Sequence, residues 1–211
     1  MPPLPERLDP AELRVLGCLI EKQRTTPEQY PLTLNSLRLA CNQATNRDPV
    51  MELGEAEVRA AVQGLSGRGY ARLATGPGSR TAKYRQLFGE TLDLLPSELA
   101  LLAVLMLRGP QTAAELKARS ERLHRFAANE DVEQTLARLA ERELVQELAR
   151  QPGRREERWT HLLADEPRRE VTSPSFAPPS AAPPADGPTA LEQRLAQIEE
   201  RLAELERRLL R

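Results

Sequence analysis

An internal repeat constrains this chain more than any other feature. "DPAELRVLGCLIEK" (9–22) resembles "LPSELALLAVLMLR" (95–108), and "EVRAAVQGLSGRGYARL" (57–73) resembles "DVEQTLARLAERELVQEL" (131–148). "GPGSRTAKYRQL" (76–87) resembles "QPGRREERWTHL" (151–162). The three matches keep the same order, so the repeating unit has the size of a small domain, and both copies must solve the same packing problem.

Each copy reads as three helices followed by a β-hairpin. Asp9, Pro10 and Glu12 supply a cap, a first-turn proline and a reciprocal acceptor, and Leu13, Leu16, Leu19 and Ile20 form the first apolar stripe. Thr33 suits the cap of a second helix with Leu34, Leu37 and Cys41 on one face. Gly54 and Glu57 suit the start of a third, with Val58, Val62 and Leu65 inward and Gly67 and Gly69 at its end. "YARLAT" and "TAKYRQL" alternate around Gly76-Pro77-Gly78-Ser79, a hairpin signature. The second copy repeats the plan: Thr112 and Glu115 form a capping-box pattern, Val132, Leu136 and Leu139 line the third helix, and Gln151-Pro152-Gly153-Arg154 turns the hairpin.

Three helices closed by a two-stranded wing is the winged-helix variant of the helix-turn-helix. The expectation is therefore a mainly α fold with short β-hairpins (α+β), built from two tandem winged helix-turn-helix domains at 1–90 and 91–165. Residues 166–190, rich in Pro, Ala and Ser, read as a semi-extended linker. Beyond it, Leu191, Leu195, Ile198, Leu202, Leu205 and Leu209 recur at spacings of four and three, a coiled-coil seam at 191–211. Placing Leu195, Leu202 and Leu209 at a positions puts Arg194, Arg201 and Arg208 at g, with Glu192, Glu199 and Glu206 at e. Parallel pairing sets Arg194 against Glu199 and Arg201 against Glu206 of a second copy, which predicts a homodimer. The competing reading is an amphipathic helix docked on its own chain.

Charge and composition narrow the function. With 29% charged and 3% aromatic residues, the core must come from Leu, Val, Ile and Ala. A net charge of −1 removes any bulk electrostatic case for nucleic acid, so a DNA-binding surface has to be local. Cys18 and Cys41 are distant in sequence and only His124 and His161 accompany them, which argues against a metal site and for buried cysteines. No stretch has the ~20 apolar residues of a membrane span and no signal-peptide pattern opens the chain, so a cytoplasmic protein is expected. Phosphate loops, HExxH, GxSxG and a Ser/His/Asp set are all lacking; neither an enzyme nor a bound cofactor is expected.

Duplex DNA and a protein partner remain as candidate ligands. Arg59, Gln63 and Arg68 on the third helix, with Arg72, Arg80, Lys83 and Arg85 on the first wing, are the candidate phosphate and base contacts. Arg154, Arg155 and Arg158 are the weaker counterparts on the second wing, interrupted by Glu156 and Glu157. Acidic residues at Glu52, Glu55 and Glu57, and at Glu130, Asp131 and Glu133, oppose entry of either third helix into a groove and suit a protein-interaction scaffold instead. Tyr84 and Trp159 hold equivalent wing positions and read as packing residues. The polar run Asn42, Gln43, Thr45, Asn46 and Arg47 falls where a helix-turn-helix turns, but is too long for a bare corner. It is either a loop ordered by its own amides and arginine or a polar contact surface.

"EKQRTTPEQYPLTLNSLRLACNQATNRDPVMEL" (21–53), "GSRTAKY" (78–84) and "ELARQPGRREERWTHL" (147–162) resemble the YceH family of uncharacterised bacterial proteins. The likeness runs in order through residues 9–163. It implies a tandem winged-helix, dimeric protein and no particular activity, and it makes the run from Cys41 through Asn42, Gln43, Thr45, Asn46 and Arg47 to Pro49 and Val50 a family signature. Trp159 stands where the resemblance leads one to expect tyrosine, an aromatic replacement that keeps wing packing.

Overall fold

The computed structural model describes residues 7–74, 81–149 and 157–164, all within a compact unit spanning Met1–Pro167. The linker at 166–190, the heptad seam, Arg80, Arg154 and Arg155 lie outside the described residues.

The protein is α+β, with seven α-helices and two small antiparallel sheets among the described residues. The first copy comprises α1 (Pro10–Thr25), β1 (Leu32–Thr33), α2 (Leu34–Cys41), α3 (Glu55–Gly67), β2 (Ala71–Leu73) and β3 (Lys83–Gln86). A short α4 (Phe88–Thr91) leads into the second: α5 (Pro96–Arg108), α6 (Ala113–Ser120), α7 (Asn129–Glu141), β4 (Val145–Leu148) and β5 (Arg158–His161).

Local chemistry starts α1, α2, α3 and α6 where the sequence suggests. The Asp9 carboxylate accepts from Glu12 N–H at 2.8 Å while Glu12 accepts from Asp9 N–H at 3.0 Å. Thr33 caps α2, accepting from Ser36 N–H at 3.2 Å, and Thr112 and Glu115 cap α6 reciprocally at 3.2 and 3.0 Å. Glu57 accepts from Gly54 N–H at 2.7 Å, closing the start of α3.

The copies also share a detail that periodicity does not reveal. The residue before each capping threonine bridges to the wing aromatic: Leu32 lies opposite Tyr84, and Gln111 opposite Trp159. Tyr84 and Trp159 pack against the core from these positions. The first sheet therefore has three strands in the order β1-β3-β2, and its register pairs Arg72 with Arg85 and Thr33 with Lys83.

Both copies draw on one core. Residues 12–20 of α1 and 98–107 of α5 are buried without interruption, not only along the expected stripe. Each helix packs on its own copy with one side and on the other central helix with the opposite side. Gly17 marks the close approach: a Cβ there would lie 2.9 Å from Cγ and Cδ2 of Leu107 and 3.4 Å from Cβ of Met106. Backbone bonds from Leu8 N–H to Leu163 O (2.7 Å) and from Asp48 N–H to Leu107 O (2.9 Å) also join the copies.

Candidate functional site

The expected DNA-contact residues divide by their partners. Arg59 and Gln63 are exposed one turn apart on α3, and Arg59 pairs with Glu55 at 2.6 Å. Arg68 reaches back to Glu12 at 2.5 Å. Glu12 is almost fully buried and already caps α1, so Arg68 completes a strut within the copy. Arg142 and Glu98 form the same strut in the second copy at 3.6 Å, with Arg138 adding a second contact to Glu98 at 3.5 Å. Arg72 is exposed on β2, Lys83 is half-buried on β3, and Arg85 pairs with Glu90. Strand alternation puts Arg72, Lys83 and Arg85 on one face of the hairpin.

The polar run after α2 folds into an ordered loop. The Asn42 side chain donates to Leu53 O at 2.9 Å and accepts from Leu53 N–H at 2.8 Å, closing the loop as a strand pair would. Arg47, whose side chain is 0% exposed, turns inward. It donates to Ala40 O at 3.0 and 3.2 Å, Asn46 O at 2.8 Å, Gln43 Oε1 at 3.1 Å and both oxygens of Glu21 at 2.7 and 3.2 Å. Arg14, buried in α1, ties both ends of the loop by donating to Cys41 O at 2.9 Å and Pro49 O at 2.5 Å. Thr45 and Asn46 stay exposed. Burial alone would raise the Glu21 carboxyl; hydrogen bonding and charge from Arg47, with help from Lys22 at 3.3 Å, outweigh it and hold the carboxyl below its ordinary range. Glu21 and Lys22 are therefore more than a surface pair, because the chief partner of Glu21 is a buried arginine 26 residues away.

This loop forms one wall of a cleft of about 600 Å³ between the copies. Its floor is the C-terminal ends of α1 and α5, and its other wall is α6 with the turn after it, bringing Arg119, Arg122 and Leu123 opposite Gln43, Thr45 and Asn46. Lys22, Arg108, Arg119 and Arg122 line it against the single lining carboxylate of Glu21. Arg119 shares Glu115 (3.4 Å) with Arg158 (2.8 Å), whereas Arg108 donates to the neutral Asn46 side chain. Burial lowers the pKa of Arg108, and the neighbouring charges of Arg119 and Arg47 lower it further. Sequence reasoning missed this group. The repeat alignment carries part of the signal, since Lys22 and Arg108 occupy equivalent positions, and the segment 117–125 holds Lys117, Arg119, Arg122 and Arg125 against Glu121. A second hollow of about 640 Å³ beside α6 is different in character: there Lys117 donates to Ala127 O and Arg125 pairs with Glu121.

Among the described residues no cluster of three His, Cys, Asp or Glu side chains is placed to hold a metal, and no helix is long and apolar enough to cross a membrane. Cys18 and Cys41 are buried in the core. His124 lies edge-on to Phe126 at 4.7 Å, and burial lowers the pKa of His161 to about 4.

These features define an α+β protein made of two copies of one helix–hairpin unit over a shared core, with a cation-lined cleft between them. The chain belongs to the DUF480 family, described as "Protein of unknown function, DUF480", whose model matches residues 8–154. A UPF0502 protein of Geobacter sulfurreducens is 57% identical over 162 residues, covering 76% of this chain and 74% of that protein. The UPF0502 protein YceH of Escherichia fergusonii is 44% identical over 194 residues, covering 89% and 90%. A UPF0502 protein of Pseudomonas putida is 49% identical over 159 residues, covering 75% and 73%.

Proposed function

We propose that this is a dimeric DNA-binding or transcription-regulatory protein in which each copy is a winged helix-turn-helix unit and the first wing holds the phosphates. The observation that carries this reading is the register of β2 on β3, which sets Arg72 directly opposite Arg85 with Lys83 on the same face. Like charges opposed across strands cost stability, so the cluster is better suited to a polyanion than to the hairpin's own needs. Arg59 and Gln63 extend the surface along α3. The g-position arginines and e-position glutamates of the heptad support a parallel dimer. Two DNA-binding units would then engage one duplex together wherever the linker lets both reach it.

A protein-interaction scaffold is the second reading. It is favoured by the carboxylates that already pair with Arg59, Arg68 and Arg85.

Fluorescence anisotropy with random and genomic duplexes across a salt series separates the two. Under the DNA reading the full chain binds at low salt, and Arg72→Glu with Lys83→Glu abolishes binding or reduces the salt slope by about 2, given ~0.9 per phosphate contact. Absence of binding at low salt, or indifference to the charge reversal, leaves the scaffold.

A further inference from the structure

The cleft between the copies has a composition that the wing reading does not use. We propose that it is a binding site for a small phosphorylated ligand, with Arg108 and Arg122 as the principal phosphate contacts and Lys22 and Arg119 beside them.

Four observations support this. The first is the imbalance of charge: four lining cations face one lining carboxylate, and Glu21 is already engaged by the buried Arg47 beneath the loop. Among the described residues, Arg122 has no ion pair and Arg108 holds only the neutral Asn46 amide, so neither must break a salt bridge to take an anion. Cations gathered in a half-enclosed space repel one another, and a phosphate relieves that repulsion.

The second is that two carbonyls at the α5 end of the floor are already engaged. C-terminal helix ends carry partial negative charge when their carbonyls are free. At the end of α5, Leu107 O accepts from Asp48 N–H at 2.9 Å. Arg108 O accepts from the Gln111 side chain at 3.1 Å.

The third is preorganisation. Asn42 and Arg47 fix the loop from behind, so Gln43, Thr45 and Asn46 are presented on a wall that needs little ordering on binding. The fourth is size and mixed lining. About 600 Å³ lies in the range of small-molecule sites, and Val104, Leu107 and Leu123 add an apolar patch for a ring or hydrocarbon portion next to the phosphate.

Isothermal titration calorimetry of the full chain with sodium pyrophosphate, and separately with a nucleoside triphosphate, tests the proposal against sodium chloride at matched ionic strength. Saturable binding is expected for the phosphate compounds and none for chloride. Arg122→Glu, at an exposed position without an ion pair among the described residues, and the Arg108→Gln/Arg122→Gln double variant should each weaken binding at least tenfold. Arg24→Gln, outside the cleft, should not. Failure of both phosphate probes to bind saturably overturns the proposal, as does binding that survives both cleft variants. A short duplex supplies the other arm: if it displaces pyrophosphate and its own binding is lost in the same cleft variants, the cleft serves a nucleic-acid backbone and the proposal fails. Arg72→Glu/Lys83→Glu should leave pyrophosphate binding unchanged, so the fates of this site and of the wing are read separately.

Discussion

Replacing Arg47 with alanine is predicted to be among the most damaging single substitutions in the first copy. Its fully buried guanidinium serves both oxygens of Glu21, the carbonyls of Ala40 and Asn46, and the side chain of Gln43. Truncation leaves Glu21, only 13% exposed, with Lys22 alone at 3.3 Å, and removes the donor of the buried Ala40 carbonyl. Breaking a buried ion pair from one side costs about 3–5 kcal/mol. At roughly 2–4 °C per kcal/mol for a unit of this size, the melting temperature should fall by about 6–20 °C. Glu21→Gln should cost less, because Arg47 keeps its carbonyl acceptors, and the double variant should show clear non-additivity. Chemical denaturation of the four proteins completes the cycle. The sign of the pH dependence follows from the depressed Glu21 pKa: its contribution is complete above the unfolded carboxyl's value and is lost as pH falls through the folded one. An Arg47→Ala protein within about 1 kcal/mol of the parent, well below the range for a broken buried pair, would refute the claim that this arginine holds the loop.

Two further outcomes test the fold. Gly17→Ala should destabilise despite alanine's helix-propensity advantage of about 1 kcal/mol, because the new methyl meets Leu107 at 2.9 Å. Gly67→Ala, with nothing within 4 Å of the added Cβ, should be neutral or stabilising in the same urea titration. His161 has its pKa lowered to about 4 by burial, and Nδ1 finds no hydrogen-bond partner among the described residues. The unfolded state therefore binds the extra proton first, and stability should decline as pH falls from about 6.5, the unperturbed imidazole value, towards about 4. His161→Gln should flatten the urea midpoint against pH across that window.

What the sequence determined by itself is the three helices and hairpin of each copy and the starts of those helices with a local cap; β1 and α4 were not legible in it. Capping depends on neighbours three residues apart, and that is why Asp9 with Glu12 and Thr112 with Glu115 are legible without coordinates. Hairpin strands are equally local, and the family signature marks the loop from Asn42 to Arg47 without saying which side chains turn inward. Tertiary structure decided the rest, because the relevant partners are far apart in the chain. Periodicity gives α1 one apolar stripe, yet α1 and α5 are buried on two sides, since each copy supplies the surface that covers the other. Arg68 reads as a free cation until Glu12, 56 residues away, is brought beneath it. For Arg47 the sequence leaves a loop-ordering and a contact role open, and Glu21 with the Ala40 carbonyl decides for the first. The cleft follows the same rule. Lys22, Arg108 and Arg122 belong to three segments with no local reason to meet, and only the packing of α1 on α5 turns their charges into one site.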